Sequence, residues 1–167
     1  MIVLVGFMGA GKTTVGQLLA ARLGLPFADA DTVIAERAGT PVPQIFAERG
    51  EPAFRALEQE TIASLLTGPR LVLALGGGAV EHEQTRRVLT AAEHTVYLHV
   101  RYEAALDRVG GDDGRPMLRR PDLAEVYRRR LVAYSEVATL TIDTEGRDPE
   151  YVCTDIVQYL TGAQATR

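Results

Sequence analysis

Gly6-Phe7-Met8-Gly9-Ala10-Gly11-Lys12-Thr13 is the stretch from which the rest of the chain can be read. It fits G-x-x-x-x-G-K-[ST], a loop that cradles phosphates between a strand and a helix. The flanks suit that placement. Ile2-Val3-Leu4-Val5 is a β-branched apolar run, and Val15, Leu18, Leu19 and Leu23 recur at helical spacing. Glycines let the backbone wrap closely around phosphate oxygens, and the new helix presents free N–H groups and its positive dipole end to the anion. The phosphate cradle expected here is Gly9, Ala10, Gly11, Lys12, Thr13 and Thr14, with Lys12 reaching the β- and γ-phosphates and the Thr13 hydroxyl a ligand for magnesium (Mg2+). Lys12 is the only lysine in the chain; every other strongly basic residue is arginine.

Working outward, the composition narrows the possible partners. A length of 167 residues fits one domain, and a 46% hydrophobic content supports a substantial core. A net charge of −4 argues against nucleic acid as a main partner, which usually demands a basic face. One cysteine excludes an internal disulfide framework and suits a reducing cytoplasm. No stretch approaches the roughly 18 apolar residues of a membrane span. Met1 leads straight into an apolar strand with no charged leader, so no signal peptide is expected. A cytoplasmic chain with no membrane partner is the expectation.

Strand-like and helix-like runs alternate along the sequence. Strands are expected at 2–5, 25–28, 71–75, 95–100 and 138–142. Helices are expected at 32–37, 43–49, 52–66, 83–92, 102–109, 122–134 and 149–160, after the one next to the phosphate loop. Leu71-Val72-Leu73-Ala74-Leu75 is continuously apolar, as in a strand buried on both faces. Five strands with interleaved helices imply an α/β fold, a parallel sheet covered on both sides. Ligands then gather at the carboxyl ends of the strands, so polar and glycine residues just after each strand are the candidates.

Asp29 and Asp31 come just after the second strand. One carboxylate could hold a metal's water shell and the other accept a proton from a substrate hydroxyl, although Asp31 could instead cap the next helix. With a phosphate loop beside them, the catalytic reading is the stronger. Arg130 falls within the stripe Leu123, Tyr127, Leu131 and Tyr134, whereas Arg128 and Arg129 fall off it. A guanidinium on an apolar face needs an anion or several acceptors: a structural ion pair or a bidentate clamp on a substrate carboxylate both satisfy it. Glu58 lies on the stripe of Phe54, Leu57, Thr61 and Leu65, and Arg55, three residues earlier, can pair with it. Gly76-Gly77-Gly78 is either a plain turn or a place where unhindered amides meet a ligand. The stretch 110–121, rich in glycine and proline around Arg115, reads as a mobile lid or as a solvated loop. Cys153 shares a face with Val152, Ile156, Val157 and Leu160 and is expected to be buried. Asp143-Thr144-Glu145-Gly146 matches the D-x-x-G of GTPase switches but comes too late in the chain, and no N-K-x-D accompanies it. His82, His94 and His99 have no metal-ligand spacing with Cys153.

Together these pieces resemble the shikimate kinase family, within the nucleoside-monophosphate-kinase-like P-loop kinases. The resemblance runs from about Met1 to Leu160. It is carried by residues 6–14, the D-x-D at 29–31, and Ile45-Phe46 through Gly50-Glu51, Phe54-Arg55 and Glu58. Gly76–Gly78, Arg115-Pro116 with Leu118, and Arg130 with Tyr134 complete it. The resemblance implies a single P-loop domain over 1–167 with a five-stranded parallel sheet in the order 2-3-1-4-5, a substrate-binding region at about 31–60 and a lid at about 110–121. It implies transfer of the ATP γ-phosphoryl to the 3-hydroxyl of shikimate by a magnesium-dependent monomer. Asp31 would then be the candidate base and Asp29 part of the magnesium shell. Arg55 and Arg130 would grip the substrate carboxylate, Gly77 and Gly78 would offer backbone contacts, and Phe46, Phe54 and Glu58 would lie near the ring. Arg115 would reach the transferring phosphate from the lid, and Arg108 and Arg147 would flank adenine. A gluconate-type kinase is the alternative of the same class. A non-catalytic ATP-binding module is the alternative of another, against which Lys12, Thr13, Asp31 and Arg115 count together.

Overall fold

The computed structural model of the protein describes residues 1–90, 92–110 and 120–164. Five strands, β1 (Ile2–Val5), β2 (Phe27–Asp29), β3 (Val72–Ala74), β4 (His94–His99) and β5 (Leu140–Asp143), form one parallel sheet in the order β2-β3-β1-β4-β5. β1 lies at the centre, with Leu4 opposite Ala74 on one side and Val96 on the other. Its residues Ile2, Val3, Leu4 and Val5 are all buried. A strand covered on both faces needs apolar side chains at every position, which explains the unbroken run.

The helices are α1 (Lys12–Leu23), α2 (Ala30–Ala38), α3 (Val42–Leu66), α4 (Glu83–Thr90), α5 (Tyr102–Val109), α6 (Leu123–Val137) and α7 (Pro149–Gln164). α1 packs on β3 and α7, and α6 packs on β4 and α4. Most of the core is one cluster around β1. A smaller cluster, Ile34, Ile45 and Phe54 with Val42, Phe46 and Leu57 against it, ties α2 to α3. It gives the segment after β2 an apolar base of its own.

Three departures from the sequence expectation bear on the site. α2 starts two residues early because Asp29, not Asp31, caps it: its side chain accepts from the Asp31 N–H at 3.1 Å. Residues 43–49 and 52–66 join into α3 through a kink at Gly50, whose φ of 78° and ψ of 169° break the helix without ending it. Pro52 is tolerated because the turn after a kink, like a helix start, has no use for its missing N–H. A 3-10 turn, Ala79–Glu81, succeeds the triple glycine, where no element is expected from sequence. Arg115 and most of the expected lid lie outside the described residues.

Candidate active site

The phosphate loop is built by backbone conformation. Gly11 at the N-cap of α1 is left-handed, with φ of 87°, and provides no side-chain cap. The first N–H groups of α1 therefore point into the loop. Lys12 Nζ donates to the carbonyls of Gly6 at 2.9 Å and Phe7 at 3.0 Å, which holds the ammonium across the loop. Thr13 Oγ1 donates to Asp29 Oδ2 at 2.9 Å, while Asp29 Oδ1 caps α2. One carboxylate thus joins the start of α1 to the start of α2. A hydroxyl beside a carboxylate is a hard oxygen donor set, which suits magnesium. Among the described residues no group of three or more acidic, histidine or cysteine side chains could cage a metal. Any magnesium here would take its remaining ligands from water and phosphate.

Next to the loop is a cleft of about 420 Å³. Its polar lining is Lys12, Thr13, Asp29, Asp31, Arg55, Glu58 and Arg130, its apolar lining includes Val42, Pro43, Phe46 and Phe54, and Gly76–Gly78 contribute backbone. The Phe46 and Phe54 rings are 4.5 Å apart, and the Arg55 guanidinium carbon lies 5.2 Å from the Phe54 ring centre. The two rings, tilted by 32°, form an apolar shelf, and both arginines are largely buried.

Each arginine is held by carboxylates. Arg55 Nη1 donates to Glu58 Oε2 at 2.7 Å and its Nη2 to Glu51 Oε1 at 3.2 Å. Glu58 is 1% exposed, and its other oxygen, Oε1, has no hydrogen-bond partner among the described residues. Burial pushes the Glu58 carboxyl above its ordinary range, Arg55 opposes the shift, and Asp31 adds to it. Arg130 is 3% exposed and donates Nε and Nη2 to Glu81 Oε2 at 3.0 and 2.5 Å. The structural ion pair considered from sequence is therefore present, and Arg130 also lines the cleft.

The triple glycine makes room for side chains. A Cβ on Gly78 would lie 2.5 Å from Arg55 Nη2, and one on Gly76 would lie 2.8 Å from Asp31 Oδ1 and 3.0 Å from Glu58 Oε1. Tyr134 Oη donates to the Gly77 carbonyl at 2.6 Å, tying α6 to this turn.

Arg108 and Arg147 do not line the cleft. Arg108 donates to the carbonyls of Gly9 at 3.0 Å and Thr144 at 2.6 Å, bracing the phosphate loop against the segment after β5. Arg147 pairs with Asp155 of α7 at 2.7 Å. Cys153 is fully buried, and burial raises its thiol pKa. Sequence reasoning missed Glu81 and Thr144. No periodicity marks a 3-10 turn, and the partners of both are distant in sequence; only the odd placement of Arg130 on an apolar stripe demanded an acceptor.

A family model described as shikimate kinase matches residues 8–161. The shikimate kinase of Moorella thermoacetica is 47% identical over 95% of this chain and 93% of its own, and that of Thermobifida fusca is 47% identical over 98% and 96%. Among solved structures, shikimate kinase from Acinetobacter baumannii in complex with shikimate superposes with a TM-score of 0.90 at 37% identity, covering 97% of this chain and 93% of that one. A sugar kinase from Janibacter, at 22% identity and a TM-score of 0.60 over 96% of this chain and 93% of its own, shares the fold alone. With the phosphate loop, the sheet order and the near full-length identity in agreement, the chain belongs to the shikimate kinase family.

Proposed function

We infer that this chain transfers the γ-phosphoryl of ATP to the 3-hydroxyl of shikimate, giving shikimate 3-phosphate and ADP. The observation that carries the reading is the cleft itself. A phosphate-binding loop, Asp31, two carboxylate-braced guanidiniums and an apolar shelf all line one cleft. That combination suits a small ring that carries both a carboxylate and hydroxyls. Membership of a family of ATP-dependent shikimate kinases supports the same assignment.

Gly9, Ala10, Gly11, Lys12, Thr13 and Thr14 bind the ATP phosphates, and Lys12 leaves its loop carbonyls to meet the β- and γ-oxygens. Thr13 and, through water, Asp29 would hold magnesium, which when bound neutralises phosphate charge and aligns the γ-phosphoryl. Arg108 and Arg147 border the adenine, and Arg115 reaches the transferring phosphoryl. Asp31 accepts or orients the 3-hydroxyl proton. Arg55 and Arg130 hold the substrate carboxylate, Gly77 and Gly78 contact the substrate through their backbone, and Phe46 and Phe54 pack on its ring. Glu58 holds Arg55, and its second oxygen is available to a substrate hydroxyl. Residues 31–60 form the substrate-binding part of a single domain, with the lid at about 110–121. No described helix is long and apolar enough to cross a membrane, and a cytoplasmic monomer completes the reading.

A coupled assay of ADP release across shikimate, quinate, gluconate and nucleoside monophosphates tests it. Release should depend on shikimate and be at least an order of magnitude weaker with the others. Faster turnover with gluconate, or ADP release indifferent to every acceptor, would overturn it.

A further inference from the structure

We propose that Glu81 is a positioning residue of the carboxylate clamp, fixing the plane of the Arg130 guanidinium from outside the cleft. Glu81 stands on the 3-10 turn next to the triple glycine, outside the cleft. It faces a second hollow, lined also by Arg55, Arg120 and Arg129. Glu81 itself does not line the cleft, whereas Arg130, to which it is bonded, does.

The geometry restrains that guanidinium closely. Its Nε and Nη2 both donate to Oε2 of Glu81 at 3.0 and 2.5 Å. The other carboxylate oxygen, Oε1, accepts from Arg129 Nε at 3.1 Å and Nη2 at 2.6 Å. The carboxylate cannot turn without breaking bonds to a second arginine. Its backbone is pinned as well. Glu81 N–H donates to the Gly78 carbonyl at 3.0 Å, and Arg86 Nη1 donates to the carbonyls of Val80 at 2.7 Å and Glu81 at 3.1 Å. Glycine triplet, turn, carboxylate and guanidinium therefore form one continuous brace. Arg130 lines the cleft, and its Nη1 lies 3.6 Å from where a Cβ on Gly77 would be, beside the Tyr134 hydroxyl to which Arg130 is also hydrogen-bonded. A buried guanidinium held in plane by Glu81, bonded to the Tyr134 hydroxyl and lining the cleft is pre-oriented for a further carboxylate.

Charge gives the same answer. Arg129 and Arg130 share one carboxylate, so the group of three keeps one net positive charge. A substrate carboxylate would balance it. Arg129 is far more exposed than Arg130 (58% against 3% of the side chain), so the unbalanced charge is least solvated on the cleft side.

The inference rests on Arg130 holding the substrate carboxylate, and the experiment separates the two. KM for shikimate, KM for ATP, kcat and Tm are measured for E81Q, E81D, R130K and the double variant E81Q/R130K. E81Q keeps the volume and removes the charge; E81D keeps the charge but draws it back by one methylene. Both should raise KM for shikimate about tenfold, the scale of one charge-assisted hydrogen bond. KM for ATP and kcat should stay within about twofold of wild type, since neither the phosphates nor the reacting hydroxyl meets this brace. In the R130K background E81Q should add little further to KM, because the residue it positions is gone. A fall in Tm with unchanged KM in both Glu81 variants would show a purely structural ion pair and overturn the proposal. An E81D enzyme equal to wild type would show that charge and not position matters, and would overturn it too. Should E81Q fail to fold, E81D decides. If R130K itself leaves KM for shikimate unchanged, the clamp reading falls, and this inference with it.

Discussion

Glu58 and Glu81 are two partly or wholly buried carboxylates that brace Arg55 and Arg130, and their environments push them in opposite directions. Burial raises Glu58 despite Arg55 beside it. Burial also opposes the charge of Glu81, but hydrogen bonds from Arg129 and the charge of Arg130 outweigh it and hold that carboxyl below its ordinary range. A carboxyl raised on folding contributes stability that is full below its unfolded pKa near 4.5 and is lost as pH rises through the folded value. A carboxyl lowered on folding contributes stability that is full above 4.5 and is lost as pH falls through the folded value. Urea midpoints measured from pH 3 to 7 should therefore separate the variants. E58Q should gain on wild type as pH rises above about 4.5, and E81Q should gain on wild type as pH falls below it. Curves for either variant parallel to wild type would contradict the assignment. At the same scale, Gly78→Ala would place a Cβ 2.5 Å from Arg55 Nη2, at the far end of a long side chain that Glu58 and Glu51 hold. The arginine should yield instead of the backbone. KM for shikimate should rise about tenfold, with Tm changed by only a few degrees; an unaltered KM would mean that Arg55 is not held against this turn.

Among the elements, α3 contributes most to the site because it bends. Val42 to Arg49 supplies Ile45 and Phe46 to the small core and the shelf, and the part after Gly50 supplies Phe54, Arg55 and Glu58. The angle between the halves sets the distance from shelf to clamp, and it is held by a backbone conformation that side-chain-bearing residues rarely adopt. Gly50→Ala should destabilise the protein by about 1–2 kcal/mol, the usual penalty for a Cβ at positive φ. KM for shikimate should rise as the clamp shifts, with KM for ATP spared. Equal stability in urea unfolding would show that the kink tolerates a side chain. The sequence carried this element as two helices interrupted at Gly50-Glu51, the second opening on Pro52. That reading captured the break, because glycine and proline act locally, but not the continuity, which comes from the packing of both halves on α2.

At the scale of the whole molecule, the parallel sheet brings the ends of β1, β2 and β3 to one edge, so that a phosphate loop, a cap and a glycine turn share a cleft. A ligand that binds only this folded arrangement must stabilise all of it. Shikimate at a hundred times its Kd should add about 2.7 kcal/mol, which for a chain of this size moves Tm by about 5–10 °C. Gluconate at the same concentration should move it little. No shift with shikimate, with or without nucleotide, would remove the substrate from this cleft. The phosphate loop, the apolar strands and the amphipathic helices were determined by sequence alone, because each depends on residues that are neighbours or one turn apart. Tertiary structure alone decided which side chains meet. Asp29 reaches Thr13 across 16 positions, Arg130 reaches Glu81 across 49, and Arg108 reaches Gly9 across 99. Such pairs leave no period in the chain, since their spacing is set by the order in which parallel strands are laid side by side.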